Sequence, residues 1–349
     1  ENEFSEEDTD FFFENILPSM IELALQLPAL IQSPIPLLKK MMNHAISLSQ
    51  QQASCLLANA FFCTFPRRNG GRKNSDYPEI NFNRLFSSDS PRVLEKLKCI
   101  LNYFRRIFIS MPRGVLTFQR RYVQTFPKWE DSNLKFSTIK LLVSHEGTIE
   151  DATSMLQVDF ANRYLGGGVL GFGCVQEEIR FVINPEMIVG MLFCESMRSE
   201  ESIVMTGCEQ FNKYSGYSNT FKWSRSNLDE TPWDKFRRKM VYVVAIDAFS
   251  FHKPHLQFEE NLLRREVNKA YSGFYHGSEN ESPIPVSSGN WGCGVFRGFK
   301  PLKALIQLIA CVANRRNLVY YTFGEVELMI EIYKMFEFLR DNEITIGKI

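Results

Sequence analysis

The spacing of apolar residues changes near residue 114 of the chain. Before this point, apolar side chains recur every three or four residues over 37–65 and 91–109, which predicts amphipathic helices, and Pro18 marks a further helix start. After it, short runs rich in β-branched residues alternate with longer amphipathic stretches. Strands that alternate with helices are typical of a layered α/β sheet.

This second pattern supplies both kinds of element. Strands are predicted at 115–123, 138–143, 155–160, 202–206, 241–248, 284–286 and 318–322. Helices are predicted from residue 176, over 258–274 and 301–314, and from residue 325. We therefore predict a helical accessory domain over residues 1–112, followed by an α/β domain over residues 113–349.

Composition narrows the class of protein. Apolar residues make up 44% and charged residues 23% of the 349 residues, which is typical of a globular chain and not of a disordered one. Forty basic and forty acidic residues cancel, so a polyanion must be bound by a local pocket and not by the charge of the whole molecule. No apolar run reaches the roughly 18 residues of a membrane span, which predicts a soluble protein.

Cysteine and histidine spacing gives no sign of a metal site. The eight cysteines are scattered without a CxxC pair, which argues against disulfides and zinc and favours a reducing nuclear or cytosolic compartment. His252 and His255 lack further ligands nearby, so a surface turn is the better interpretation. The basic loop at 66–74 either contacts phosphates or is simply solvated.

The densest candidate for chemistry is a glycine-rich loop between a predicted strand and a predicted helix. Gly166, Gly167 and Gly168 are followed by two further glycines before the helix start. Such a loop allows positive φ, and its free N–H groups with the helix dipole favour a diphosphate. It matches neither the P-loop nor the dinucleotide fingerprint. The alternative is a flexible connection without a ligand.

Two adjacent carboxylates, Glu177 and Glu178, begin the helix after this loop. They either complement the positive end of the helix or serve as acid and base on a bound sugar. A second glycine loop at 288–296 also lies between a predicted strand and a helix. Between the two loops, residues 211–217 form an aromatic hairpin, which is either a structural turn or a lid over a base or ribose.

Several stretches together resemble one known family. Gly166-Gly167-Gly168, seven further residues and Gln176-Glu177-Glu178 are similar to the signature of the poly(ADP-ribose) glycohydrolases. Further stretches resemble the eukaryotic form of that family: VDFAN (158–162), EIRF (178–181), INPE (183–186), YSGY (214–217), AIDA (245–248), GNWGCG (289–294) and TFG (322–324). The resemblance covers about residues 145–335.

The resemblance implies a fold and an activity. The fold would be a macrodomain, a three-layer α/β/α arrangement with a mixed central sheet, preceded by a helical accessory domain. The activity would be hydrolysis of the ribose–ribose bond of poly(ADP-ribose) to release ADP-ribose, with no cofactor and no metal. Glu178 would be the general acid and base, Glu177 would hold ribose hydroxyls, and Asp159 would also be needed for activity.

The resemblance also assigns the binding residues. Gly166, Gly167 and Gly168 would contact the substrate, and Asn162 and Gln176 would position it. Adenine would be held by Ile149 and Glu150 and stacked by Phe323. Tyr217 and Phe296 would pack against the nucleotide. The residues expected to hold the diphosphate and ribose are Asn290, Trp291, Gly292, Cys293, Gly294 and Val295.

The expected partners are poly(ADP-ribose) and ADP-ribosylated proteins, with no membrane and no sequence-specific nucleic acid. The resemblance implies a monomeric protein that acts in the DNA damage response. It would be found in the nucleus, the cytoplasm or both. The alternative is a macrodomain that binds ADP-ribose without cleaving it, and the presence of both Glu177 and Glu178 favours the enzyme. A nucleotide-dependent oxidoreductase would be expected to have an N-terminal dinucleotide fingerprint, and the helical N-terminal third argues against this alternative.

Overall fold

The computed structural model describes residues 6–68, 76–277 and 283–349, in which most strands join one mixed sheet. The strands are β1 (His44–Ser49), β2 (Val115–Tyr122), β3 (Leu141–Ser144), β4 (Leu156–Asp159), β5 (Glu201–Thr206), β6 (Asn212–Ser215), β7 (Lys222–Ser226), β8 (Tyr242–Ala245), β9 (Val286–Gly289) and β10 (Leu318–Tyr321). The eight-stranded sheet has the order β1-β2-β5-β8-β4-β9-β10-β3, while β6 and β7 form a separate hairpin.

The helices lie before the sheet strands and between them. They are α1 (Glu6–Phe11), α2 (Leu17–Leu25), α3 (Leu27–Leu30), α4 (Gln50–Phe61), α5 (Asn83–Phe86), α6 (Pro91–Ile109), α7 (Gln176–Ile183), α8 (Glu260–Phe274), α9 (Lys300–Ala313) and α10 (Val326–Asp341). A π-helical turn, Phe12–Ile16, joins α1 to α2. Short 3₁₀ segments lie at Trp129–Asp131, Phe136–Thr138, Ile149–Asp151, Pro185–Leu192, Ser218–Thr220, Pro254–Phe258 and Ile346–Lys348.

Two hydrophobic cores cover the two faces of the sheet. Alternate residues of a strand point to opposite faces, and β5 shows this directly. Ile203 and Met205 belong to the core formed with α2, α4, α6 and α7, whereas Val204 belongs to the core formed with α8, α9 and α10. Strands β8, β4, β9, β10 and β3 are parallel, and every residue of the central strands β4 and β9 is buried, as expected where both faces of a sheet are covered.

The prediction of a helix over 37–65 is wrong for part of its length. Residues 44–49 form β1, which pairs antiparallel with β2, and its central residues alternate between exposed and buried. Helix α4 begins only at Gln50, where Ser49 and Gln52 form a reciprocal capping box. The expected helical N-terminal region therefore contributes an edge strand to the sheet, because β1 finds its partner about 70 residues away.

The other predicted elements differ mainly at their ends. Helix α6 has the predicted bounds, and α7 begins at the predicted residue. The strand predicted at 138–143 starts only at Leu141, after a helical turn, and the strand predicted at 284–286 runs instead over Val286–Gly289. Among the described residues, no helix is both long and apolar enough to cross a membrane.

The basic loop is described only in part. Residues 69–74 of the predicted 66–74 segment lie outside the described residues. The Arg68 guanidinium donates hydrogen bonds to the backbone carbonyls of Met191 and Leu192 and lies over the Tyr77 ring. The Arg68 side chain is therefore used in contacts within the protein.

Candidate functional site

Parallel pairing brings the ends of three strands to one edge of the sheet. Strand β9 lies between β4 and β10, and all three run in the same direction. The carboxyl end of β4 is followed by residues 160–175, which contain the first glycine loop. The carboxyl end of β9 is followed by residues 290–299, which contain most of the second glycine loop, and that of β10 is followed by Phe323. Ligands of open α/β sheets bind outside such strand ends. The topology therefore assembles most of the predicted site residues at one edge.

The first glycine loop holds two buried carboxylates on α7. Glu177 accepts hydrogen bonds from the backbone N–H groups of Asn162 at 2.8 Å and Gly166 at 2.7 Å. Glu178 accepts from the N–H groups of Gly168 at 2.8 Å and Val175 at 2.9 Å. Both oxygens of each carboxylate are thus fixed by backbone donors, which orients the two groups before any substrate arrives.

This arrangement corrects the expected use of the glycine N–H groups. We expected them to be free for a diphosphate, but those of Gly166 and Gly168 are donated to the glutamates, and that of Gly167 is donated to the carbonyl of Tyr164 at 3.1 Å. The loop therefore positions acid–base groups, and the diphosphate needs other donors.

A cluster of three carboxyl groups lies beneath this loop: Asp159, Glu177 and Glu178. Asp159 is completely buried, and its side-chain oxygens have no hydrogen-bond partner among the described residues. The pKa of Asp159 is raised to about 8, because burial outweighs the opposing charge of the Arg180 guanidinium and the Glu178 charge acts in the same direction as burial. Burial, followed by the charges of Asp159 and Glu178, raises the pKa of Glu177 well above its usual range. The cluster therefore retains a proton at neutral pH.

Gln176 and Asn162, which we expected to position substrate, organise the loop, and their contact with substrate stays a prediction. The Gln176 side chain accepts the N–H of Phe160 at 2.7 Å and donates to the carbonyl of Val158 at 3.2 Å. Both of its polar ends are thus used to join β4 to α7. The Asn162 side-chain oxygen accepts the N–H of Tyr164 at 3.0 Å, while its amide nitrogen has no partner in the described part of the chain.

The second glycine loop presents unused backbone donors. Within the described ranges, no acceptor faces the N–H groups of Gly292, Gly294, Val295 or Phe296. A side-chain carbon on Gly294 would meet no atom within 4 Å, and Val295 is 75% exposed. This open row of N–H groups can bind a diphosphate. The three consecutive glycines of the first loop cannot do so in the same way, because their N–H groups already have acceptors within the protein.

Other residues of the second loop are anchored inward. The Trp291 ring is completely buried, its N–H donates to the carbonyl of Ile246 at 2.9 Å, and the Lys303 ammonium lies 3.9 Å from the ring centre. The Trp291 side chain thus anchors the loop, and the expected place of Trp291 in the run that holds the diphosphate and ribose stays a prediction. The Asn290 side-chain oxygen accepts the hydroxyl of Tyr320 at 3.0 Å, and burial raises the pKa of the Cys293 thiol to about 12.

Two half-exposed rings flank the loops. Phe323 is 43% exposed and lies directly over Gly289, where a side-chain carbon would meet the ring at 2.6 Å. Tyr217 is also exposed, at 54% of its surface. Both rings are placed to stack on a planar ligand.

The expected adenine pair divides between core and surface. Ile149 is buried, and the Glu150 carboxylate accepts the hydroxyl of Tyr214 at 2.7 Å. This contact ties the aromatic hairpin to the sheet edge, while Tyr217 at its end stays exposed, so the hairpin has a structural role and the lid interpretation stays a prediction. The Phe296 ring is half-buried beside this exposed part of the second loop.

Sequence reasoning missed two charged residues of the site. Arg180 is buried one turn into α7, and its charge faces Glu150 and Asp159. The sequence feature that could have identified Arg180 is its position two residues after Glu178 on the same short helix. Lys96 reaches the first glycine loop from α6, and no local pattern could have identified it.

Comparison with known proteins follows the same division of the chain. The family model described as poly(ADP-ribose) glycohydrolase, Macro domain fold, matches residues 126–330, and the helical-domain model of the same family matches residues 4–120. The expected macrodomain with a preceding helical domain is thereby confirmed. The exact boundary at 112/113 stays a prediction.

Curated relatives cover nearly all of the chain. Poly(ADP-ribose) glycohydrolase 1 of Arabidopsis thaliana is 33% identical over 98% of this chain and 77% of its own length. Poly(ADP-ribose) glycohydrolase 1 of Caenorhabditis elegans is 39% identical over 86% of this chain and 39% of its own length. The crystal structure of poly(ADP-ribose) glycohydrolase from Thermomonospora curvata covers 56% of this chain and 76% of that chain, at 16% identity and a TM-score of 0.39, which is too remote to support residue assignments.

Proposed function

Because the chain belongs to the poly(ADP-ribose) glycohydrolase family, we propose that it hydrolyses the ribose–ribose O-glycosidic bonds of poly(ADP-ribose) and releases ADP-ribose. The observation that carries the proposal is the convergence of Glu177 and Glu178 beneath the first glycine loop, beside an open row of backbone donors. A macrodomain that only binds ADP-ribose needs the donors but has no use for a protonated carboxyl cluster. The non-catalytic alternative is therefore not favoured.

The two loops divide the work of binding. The diphosphate oxygens accept N–H groups of the second loop, at Gly294 and Val295, where the backbone is open. Adenine stacks on Phe323, whose ring is exposed at the end of β10. The distal ribose then lies over Gly167, and its hydroxyls reach the Glu177 carboxylate. Backbone donors suit this ligand because its negative charge is concentrated on the diphosphate.

The carboxyl cluster supplies the proton for bond cleavage. Glu178 donates a proton to the departing ribose oxygen, the glycosidic C–O bond breaks, and the remaining ribose becomes an oxocarbenium-like species. Water then attacks the same carbon and returns its proton to Glu178, so the enzyme ends in its starting state. Asp159 and Glu177 stabilise the protonated state of the cluster through their mutual repulsion. No metal takes part in these steps.

The cellular setting belongs to the same proposal. The substrates are poly(ADP-ribose) chains on ADP-ribosylated proteins, in the nucleus, the cytoplasm or both, as part of the response to DNA damage. The eight scattered cysteines support a reducing compartment. We also expect the protein to act as a monomer.

The test is incubation with purified poly(ADP-ribose), followed by chromatography of the products. The wild-type protein should release free ADP-ribose. Glu178→Gln keeps the shape of the side chain and loses the transferable proton, so it should release none, while its ADP-ribose affinity stays within about tenfold, or about 1.4 kcal/mol. Binding of ADP-ribose without any release by the wild type would identify a binding module instead.

A further inference from the structure

A lysine from the helical region is buried against the first glycine loop. Lys96 lies on α6, within the segment that matches the helical-domain model, and its side chain has no exposed surface. Its ammonium donates to the carbonyl oxygens of Val169 at 2.9 Å, Gly171 at 2.7 Å and Gly173 at 2.6 Å. An ammonium has three donors, which suits these three carbonyls, and the carbonyl of Gly168 lies at the longer distance of 3.5 Å.

Burying this charge is costly, which makes its position informative. Lys96 has no carboxylate within salt-bridge distance among the described residues, so carbonyl dipoles alone replace its lost hydration. Burial lowers the pKa of Lys96 to about 8, while the charge of Glu178 opposes this shift. A methionine would fill the same space without a buried charge, but it would leave the loop carbonyls without this donor.

The carbonyls that Lys96 holds lie between the two donors that hold Glu178. Along the chain, the N–H of Gly168 precedes the bound segment and the N–H of Val175 follows it. The segment is closed on itself, because the carbonyl of Gly168 accepts the N–H groups of Gly171 and Gly173, so a shift of residues 169–173 also shifts the residues that carry both donors. Movement of this segment would therefore move the Glu178 carboxylate.

We infer that Lys96 is a positioning residue for the hydrolytic site, which fixes residues 169–173 and through them the orientation of Glu178. The inference rests on the proposed function. It makes the helical region a part of the hydrolytic machinery, because the macrodomain segment by itself supplies no cation to these three carbonyls. Lys96 acts through the loop and does not touch the substrate.

A second buried lysine offers a matched control. Lys239 donates to the carbonyls of Asp229 at 2.6 Å and Thr231 at 3.0 Å, in a segment that contributes no residue to the site. Lys239→Met and Lys96→Met remove the same group from similar surroundings. Both variants should lose thermal stability, but only Lys96→Met should disturb hydrolysis.

The experiment separates kcat from ligand binding. Lys96→Met should lower kcat on poly(ADP-ribose) about 100-fold, because a misplaced acid–base group loses most of its effect. Its dissociation constant for ADP-ribose, measured by calorimetry, should stay within a few-fold, since the second glycine loop is untouched. Hydrogen exchange should rise in peptides spanning 160–175 and remain unchanged in those spanning 290–299.

Three results would overturn the inference. They are wild-type kcat in Lys96→Met, a parallel loss of kcat and ADP-ribose affinity, and an equal loss of kcat in Lys239→Met. Should Lys96→Met not fold, Lys96→Gln replaces it: a folded Lys96→Gln with faster hydrogen exchange over 160–175 but wild-type kcat also overturns the inference. If the wild-type protein itself releases no ADP-ribose, the proposed function is refuted. This result differs from a loss of activity that is seen only in the Lys96 variants.

Discussion

A side-chain carbon added to Gly167 would lie 2.7 Å from Oε1 of Glu178. The same position would be 2.5 Å from Oε2 of Glu177, and Gly167 has a φ of +50°. The two carboxylates thus converge on one point that only a glycine leaves open. This explains why a glycine is needed here although its N–H group binds no ligand.

Gly167→Ala should lower kcat on poly(ADP-ribose) about 100-fold, because the new methyl group displaces both carboxylates. Gly171→Ala is the control in the same loop, since its added carbon would meet its nearest neighbour at 3.7 Å and its φ is not positive. Steady-state rates of ADP-ribose release measure both. Comparable losses in the two variants would show that the whole loop, and not this point, is sensitive.

Val295→Pro should weaken ADP-ribose binding about tenfold, or about 1.4 kcal/mol, by removing one N–H donor to a charged phosphate. The substitution suits the backbone, because the N–H of Arg297 donates to the carbonyl of Gly294 and places Val295 at the second position of a turn. Val295→Ala removes the side chain and keeps the donor, so its affinity should match the wild type. Calorimetry that finds the proline variant unchanged would move the diphosphate elsewhere.

The rate of hydrolysis should fall as pH rises through about 8, the raised pKa of Asp159, because the carboxyl cluster then loses its proton. Asp159→Asn removes a charge that raises the pKa of Glu177, so the alkaline limb should move to lower pH. Lys96 also has a pKa of about 8, and Lys96→Arg separates the two, since it keeps its charge at high pH. If the fall in rate at alkaline pH disappears in Lys96→Arg, the group that titrates is Lys96 and not the carboxyl cluster.

Stability should also fall with rising pH, in part through a carboxyl group outside the site. Burial raises the pKa of Glu186 to about 8, while hydrogen bonds from the Gln50 side chain and the Glu209 backbone oppose the shift. A raised carboxyl pKa contributes stability that is complete below the unfolded pKa and is lost as pH rises through about 8. Glu186→Gln does not titrate, so its thermal midpoint should vary less between pH 5 and pH 9 than that of the wild type. Equal slopes would exclude Glu186 as a source of the pH dependence.

Local sequence was sufficient where an element carries its own signals. Helix α6 was predicted with its full bounds because Pro91 marks its first residue and its apolar face repeats every three to four residues. The glutamates were found because Glu177 and Glu178 directly follow a glycine-rich loop, so the motif is contiguous in the chain. The prediction of a helix was wrong at residues 44–49. These six residues form a strand because they pair with β2.

The direction of each donor and acceptor was decided only by the tertiary structure. Composition shows that a glycine loop is rich in accessible N–H groups, but the turns of the backbone determine which of them point at a carboxylate and which stay open. The N–H groups of Gly166 and Gly168 are therefore occupied, whereas that of Gly294 is free. Lys96 meets Gly173 across 77 residues of chain, and no periodicity of charge or hydrophobicity encodes such a contact, because it exists only once α6 packs beneath the loop.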